Sequence, residues 1–582
     1  MDEEAIEEAG LDPMGPLLAL CDEAASASPG ERAALLGRIM AGYGVSAFFG
    51  FGAGPDKTDS ERSICQIYQG GLGLPDRDYY FDEDKEEKRA EYRAHVARML
   101  ALLSGGGEGE GVPGPVVEAA AAAVYGLELR LAGAHMTKTE NRDPEATYNK
   151  MTLADLTERV GGGRLDFGAY LAAATGRAPG DLGEVNVCNV AAMGRVAEVV
   201  ADADADVLRH YLRWHSVRSC AKYLGRSYVD QDFRFYEKVL AGTDEIKPRW
   251  KRAMAFTESA LGEALGQIYC SKYFDERSKD KALQIVESVR QALEDRLKEV
   301  DWMTSDATRR AALDKMKRFR VKIGYPDEWI DYTSLVLEEG EPLLSMVFRS
   351  RAFDLGREVA EMNAPTDREK WFMTPQTVNA YYHPSLNEIV FPAAILQPPF
   401  FHPDADDAVN YGAMGAVVGH EMTHGFDDQG RKYDARGNMV DWWTEEDAAE
   451  YERRVEVMVR QADRYEVHGQ AVRGKLTCGE NIADLGGLRL AYRALRSRPG
   501  FAGGTAIGGW SQTQRFFLAW AQCWRQNITK ERALQLITLD PHGPNEMRCN
   551  GPLSNLPEFH DAFGAGEGTP MHKQVEDRVD IW

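Results

Sequence analysis

Residues 417–430 read VVGHEMTHGFDDQG, with His420 and His424 four positions apart and Glu421 directly after the first. On a helix, side chains at i and i+4 stack on one face, so both imidazoles point the same way. Two neutral imidazoles there can share one cation, and zinc suits nitrogen donors held tetrahedrally. Glu421 is rotated about 100° from His420 around the helix. It is therefore free of the metal and placed to act as general base on a water that the metal activates. The apolar approach, MGAVVGHEM, suits a buried active-site helix.

Zinc needs a third protein ligand, with a fourth position left open. In HExxHxxGxxH sites that ligand is a third histidine, but here the corresponding positions hold Asp427 and Gly430. The ligand must come from elsewhere, and a downstream helix is the usual source. GENIADLGG (479–487) offers Glu480 and Asp484, again four apart on one helical face. Glu480 can be the ligand, with Asp484 behind it accepting a hydrogen bond from a ligating imidazole and fixing its tautomer. Asp427, three residues after His424, can do the same for the other ring. Alone, GENIAD reads equally well as an ordinary helix N-terminus; beside the histidine helix it gains a chemical meaning.

The elements that must position these residues follow from periodicity. EKRAEYRAHVARMLALL, DVLRHYLRWHSVRSCAKYL and KALQIVESVRQALEDRLKEV carry apolar positions at three and four spacing, so the first 340 or so residues read as mostly helical. Glycine-rich stretches at 104–115 and 160–166 mark surface loops. After about residue 370 the texture changes: TVNAYYHPSLNEIVFPAAILQPPFF mixes β-branched and aromatic residues with prolines, which predicts strands and an irregular buried loop. The chain thus reads as mostly α with a smaller α/β (α+β) part, divided near 340 into a helical region (1–340) and a mixed region (341–582).

At 582 residues the chain exceeds what one hydrophobic core usually serves. Its net charge of -24 repels phosphate backbones and anionic lipid, which argues against nucleic acid as a partner. The eight cysteines lie far apart with no CxxC pair, so they read as mostly buried free thiols. The start, MDEEAIEEAGLDP, is acidic and helical and has no signal-peptide pattern. No run of about 18 uncharged apolar residues occurs, so no membrane segment is read; the alanine-rich VVEAAAAAVYGLELRLAGAH reads as a buried helix.

Taken together, NAYYHPSLNEIVFPAAILQPPFF (379–401), GHEMTHGFDDQGR (419–431), GENIADLGGL (479–488), RFFLAWAQCWR (515–525) and DPHGPNEMRCNGPLSNLPEF (540–559) resemble the neprilysin family of zinc metalloendopeptidases, which includes endothelin-converting-enzyme-like members. GGLGLPDRDYY (70–80) and RDPEATYNKMTLADL (142–156) agree, so the resemblance covers nearly the whole chain. It implies a two-lobed zincin-type fold enclosing a central cavity, with a helical lobe from about 1–340 covering a thermolysin-like catalytic domain at 341–582. It implies one zinc ion per chain on His420, His424 and Glu480, Glu421 as base, and Asp484 as the acid paired with a ligand histidine. By the same resemblance His542 stabilises the oxyanion, Asn379 and Ala380 pair with the peptide backbone, and Arg548 holds a peptide carbonyl beyond the cut. Ile395, Phe400, Val417 and Trp524 fall where the family lines an apolar pocket, and Cys523 would border it. The substrates implied are oligopeptides cut on the amino side of apolar residues.

Family members begin with a further stretch that includes an anchor or signal, absent here, so the chain reads as a shortened form of an extracellular or membrane-anchored ectoenzyme. Two rival readings stand beside this one. An inactive, peptide-binding relative is opposed by intact His420, Glu421, His424, Glu480 and His542; hydrolysis of a non-peptide bond is opposed by Asn379-Ala380.

Overall fold

Helices begin where the sequence supplies a cap. Asp204 starts Ala205–Cys220 by accepting from Asp206 N, and Asp275 starts Glu276–Glu299 by accepting from Ser278 N. The computed structural model describes residues 1–105, 114–501 and 504–582. It is mostly helical and two-lobed, with small sheets. The predicted helices appear as Glu86–Leu103, Ala205–Cys220 and Glu276–Glu299. The glycine-rich loop expected at 104–115 lies mostly outside the described residues, whereas Gly162 and Gly163 form their turn with positive φ. The alanine-rich segment is the helix Pro115–Ala132, which buries Val124, Leu127 and Leu131. Among the described residues no helix is long and apolar enough to cross a membrane. All eight cysteines are free thiols, six of them buried.

Two principal hydrophobic cores divide the chain, and their membership crosses the expected boundary near 340. The first core draws on residues 14–240, with Leu344, Phe348 and Met362 from the helix Leu343–Glu361 and its end. The second draws on residues 282–582. The segment before 340 that contains Glu276–Glu299, Asp306–Lys317 and Arg320–Gly324 therefore packs with the second lobe. Strand pairing explains this: Arg320–Gly324 runs parallel to Glu388–Pro392, with Val321 opposite Ile389, and carries its preceding helices along. Periodicity says which face of a helix is apolar, but not which core receives it.

The first lobe also holds a sheet that the mostly helical reading omits. Phe49–Asp56 pairs antiparallel with Asp59–Gln69, which pairs parallel with Val185–Val187. FGFGAGPD carries a glycine at alternate positions and lacks β-branched residues, which weakens the strand signal of Phe49 and Phe51. In the second lobe the order is Arg320–Gly324, Glu388–Pro392, Tyr381–His383. The middle strand is wholly buried, and Tyr381–His383 is an edge whose outer side has no partner among the described residues. Polar contacts join the lobes: Arg473 Nη1 lies 2.7 Å from Asp78 Oδ2, Asn438 Oδ1 accepts from Ser60 N at 2.8 Å, and Lys432 Nζ lies 3.0 Å from Asp143 Oδ1.

Candidate metal centre and active site

Glycines bring the site together. His420, Glu421 and His424 lie on Ala416–His424, and Glu480 and Asp484 lie in the first two turns of Cys478–Arg496. A Cβ on Gly419 would sit 2.6 Å from Gly487 O, and one on Gly487 would sit 2.4 Å from His420 N. The two helices thus touch backbone to backbone, and no larger side chain fits between them. That close approach carries Glu480 to the imidazoles.

His420 Nε2 and His424 Nε2 are 2.9 Å apart, with the rings perpendicular at 88°. Glu480 Oε2 lies 3.2 Å from His420 Nε2, and Oε1 lies 3.6 Å from His424 Nε2. Each ring's other nitrogen faces a carboxylate: His420 Nδ1 is 2.8 Å from Asp484 Oδ1, and His424 Nδ1 is 2.7 Å from Asp427 Oδ2. Asp427 is held in turn by the backbone amides of Gln429 and Gly430, and Asp484 by Arg548 through Nε and Nη2, both at 2.8 Å. The Arg548 guanidinium stacks 4.2 Å from the Trp524 ring centre.

This donor set fits a zinc ion. With both Nδ1 protons donated to aspartates, both Nε2 atoms present lone pairs to each other and to a carboxylate. Three lone-pair donors at such distances repel unless a proton or cation lies among them, and two imidazole nitrogens with a carboxylate oxygen suit zinc. Glu480 Oε2 is buried without a hydrogen-bond partner, as a ligand atom would be. Burial opposes charge on His420, yet the neighbouring carboxylates of Asp484 and Glu480 outweigh it and push its pKa up to about 10. Burial alone would raise Glu480, but His424, His420 and His542 hold it well below the usual carboxylate range. The pocket that attracts this proton attracts a cation equally. Glu421 also brings a carboxylate oxygen within 4.8 Å of both imidazoles. Glu480 makes the closer contacts to both Nε2 atoms, as expected of a third donor.

Glu421 is buried, and that burial raises its pKa despite the neighbouring histidines. His542 is half exposed, with Nδ1 2.7 Å from Asp540 Oδ1 and Nε2 3.2 Å from Glu480 Oε2. A cavity of about 550 Å³ opens beside these groups, and Asn379, Ala380, Ile395, Phe400, Val417, Trp524 and Arg548 all border it. Asn379 and Ala380 immediately precede the edge strand Tyr381–His383. Cys523, expected at the pocket rim, is not among its lining; its thiol turns back to Ala519 O at 3.4 Å. Its place there is taken by Trp520, whose ring centre lies 5.1 Å from that of Trp524. The signal was present in AWAQCW, where the two tryptophans stand four apart and so share one helical face. Asp540 also went unread, two residues before His542 in the turn that orients its ring.

Models described as peptidase family M13 match residues 1–326 and 379–579. Endothelin-converting enzyme 1 of Rattus norvegicus is 34% identical over 556 residues, covering 94% of this chain and 71% of its own. The endothelin-converting enzyme homolog of Locusta migratoria is 34% identical over 559 residues, covering 91% and 74%. Among solved structures, the Mycobacterium tuberculosis zinc metalloprotease Zmp1 in complex with an inhibitor superposes with a TM-score of 0.94 at 39% identity, covering 100% of this chain and 87% of that one. The same protease in its open state gives 0.71 at 38% identity, covering 100% and 89%.

Proposed function

The chain belongs to peptidase family M13 and is a zinc metalloendopeptidase, and we propose that it hydrolyses oligopeptides on the amino side of apolar residues with Glu421 as general base. The observation that carries this reading is the convergence of two aspartate-anchored imidazoles and Glu480 beside an apolar cavity that lies next to an unpaired strand edge. Zinc held by His420, His424 and Glu480 would supply a Lewis acid for the scissile carbonyl and for the attacking water.

The remaining steps belong to the chain. Glu421, buried and with a raised pKa, takes the proton of that water and returns it to the leaving amine. An extended peptide adds to the outer edge of the Tyr381–His383 sheet, its backbone paired by the Asn379 amide and the Ala380 carbonyl. The side chain after the cut enters the cavity among Ile395, Phe400, Val417 and Trp524. Asp540 engages Nδ1 of His542 and so aims its Nε2 toward the place where the oxyanion develops. Asp484 occupies Nε and Nη2 of Arg548, which leaves Nη1 without a protein partner among the described residues and open to a peptide carbonyl.

Glu421→Gln is expected to keep zinc and lose about 10²–10⁴-fold in kcat on a short peptide. Turnover at the normal rate would remove Glu421 as the base. Zinc present with no cleavage by the unaltered protein would favour a binding role instead.

A further inference from the structure

We propose that Arg142, supplied by the first lobe, is a positioning residue for the zinc centre of the second. The inference rests on the ligand set proposed above. Arg142 ends the short turn Glu140–Arg142 and crosses the seam between the lobes. Its Nη2 lies 3.2 Å from Asp428 Oδ1, and its Nη1 donates to Lys475 O at 2.8 Å. The guanidinium therefore touches both chain segments that carry the site. Asp428 follows Asp427, the carboxylate on His424 Nδ1, and Lys475 lies just before the helix Cys478–Arg496 that bears Glu480.

Gly479 records how tightly these groups pack. A Cβ there would lie 2.8 Å from Arg142 Nη2, 2.8 Å from Asp428 Oδ1 and 2.9 Å from Asp427 Oδ2. Three charged side chains crowd over this one residue, and the next residue is Glu480. Asp427 and Asp428 are adjacent carboxylates that repel each other. Burial and the Asp427 charge push the Asp428 pKa up, while Arg142 pulls it down. Among the described residues Arg142 is the one lysine or arginine within ion-pair distance of either aspartate. Lys315 also faces Asp427, but it commits its ammonium to the carbonyls of Gly430 and Tyr433. Without Arg142, Asp428 is left uncompensated beside Asp427 and the Lys475 carbonyl loses its donor. The carboxylate that fixes His424 and the first turn that presents Glu480 both lose a support. Retention of zinc is thus tied to the first lobe being in place.

The test follows zinc transfer from the loaded full chain to a chromogenic chelator. Removing a direct partner of a ligating histidine typically weakens metal binding 10–100-fold; Arg142 acts one contact further out, so Arg142→Ala is expected to speed zinc loss about tenfold. Arg142→Lys keeps the charge but not the fork of donors and is expected to fall between. Asp428→Asn is expected to speed loss as well, and the double variant to do no more than Arg142→Ala alone, because both changes break one interaction. Asn438→Ala, which breaks the Ser60 contact elsewhere on the seam, is expected to leave the rate unchanged. Wild-type transfer in the Arg142 and Asp428 variants, or equal acceleration by Asn438→Ala, overturns the proposal. If Arg142→Ala does not fold, Arg142→Lys and Asp428→Asn carry the same comparison. The readout is metal transfer, so it stands apart from any failure of the cleavage specificity or of Glu421 as base.

Discussion

Glu128 and Glu480 are carboxylates buried beside histidine, one in each lobe, and their surroundings are opposite. Glu128 accepts from Tyr80 and Tyr92 hydroxyls at 2.7 Å and from Trp214 Nε1 at 3.1 Å, with His215 Nε2 at 3.0 Å. Donors there outnumber acceptors, and the carboxylate is saturated. Glu480 faces two imidazoles whose Nδ1 atoms are already engaged by Asp484 and Asp427, and its Oε2 has no hydrogen-bond partner. Acceptors there meet acceptors. Residue types barely distinguish the two clusters; the number of available protons does, and only the second has room for a cation.

Exchanging each glutamate for its amide tests that contrast most severely. Glu480→Gln is expected to lose zinc and with it all measurable peptidase activity. Glu128→Gln is expected to keep both and to lower unfolding stability by about 1–3 kcal/mol, because an amide nitrogen cannot accept from the surrounding donors. Metal content and denaturant titration read the two outcomes, and zinc loss in Glu128→Gln would erase the distinction. A smaller effect is expected for His542→Ala: zinc stays, while kcat falls about 10²–10³-fold as one oxyanion donor is lost. Steady-state kinetics with metal analysis check it.

Acidity separates the metal-site imidazoles from other buried histidines more gently. Burial pushes His95 in the first lobe down to about 3, helped by Arg218 and Arg98, and burial pushes His135 down to about 4 against its contact with Gly70 O. Both folded pKa values lie below the unfolded value of about 6.5. Their contribution to stability is therefore present above pH ~6.5 and lost as pH falls toward 3–4, by up to about 1.4 kcal/mol per pH unit for each. In the metal-free protein His420, raised to about 10, behaves oppositely. Its stabilisation is complete below pH ~6.5 and is lost as pH rises toward 10. Calorimetry of the metal-free chain across pH 4–10 should show a loss on both flanks, and added zinc should remove the alkaline one.

Much of the site was legible because its chemistry is local. His420, Glu421 and His424 share one turn and a bit more of a single helix, and Glu480 and Asp484 share another, so helical geometry predicts their faces. The pocket residues came through resemblance of whole segments, and Ile395, Phe400, Val417 and Trp524 do border one cavity. Cys523 was misplaced and Trp520 passed over because the helix that carries them turns by 3.6 residues, which a list of neighbours along the chain ignores. The hairpin Phe49–Gln69 escaped because alternate glycines weaken the strand propensity of its first half.

The sequence by itself determined the chemistry: which side chains can donate lone pairs, which can carry a proton, and which fall on one helical face, since these follow from residue type and the 3.6-residue turn. Tertiary structure alone decided which helices join which core, how Gly419 and Gly487 let Glu480 reach the histidines, and that an arginine from the other lobe rests against Asp428, next to the aspartate behind His424. Those outcomes depend on close packing between segments tens to hundreds of residues apart, and no local pattern encodes a distance of that kind.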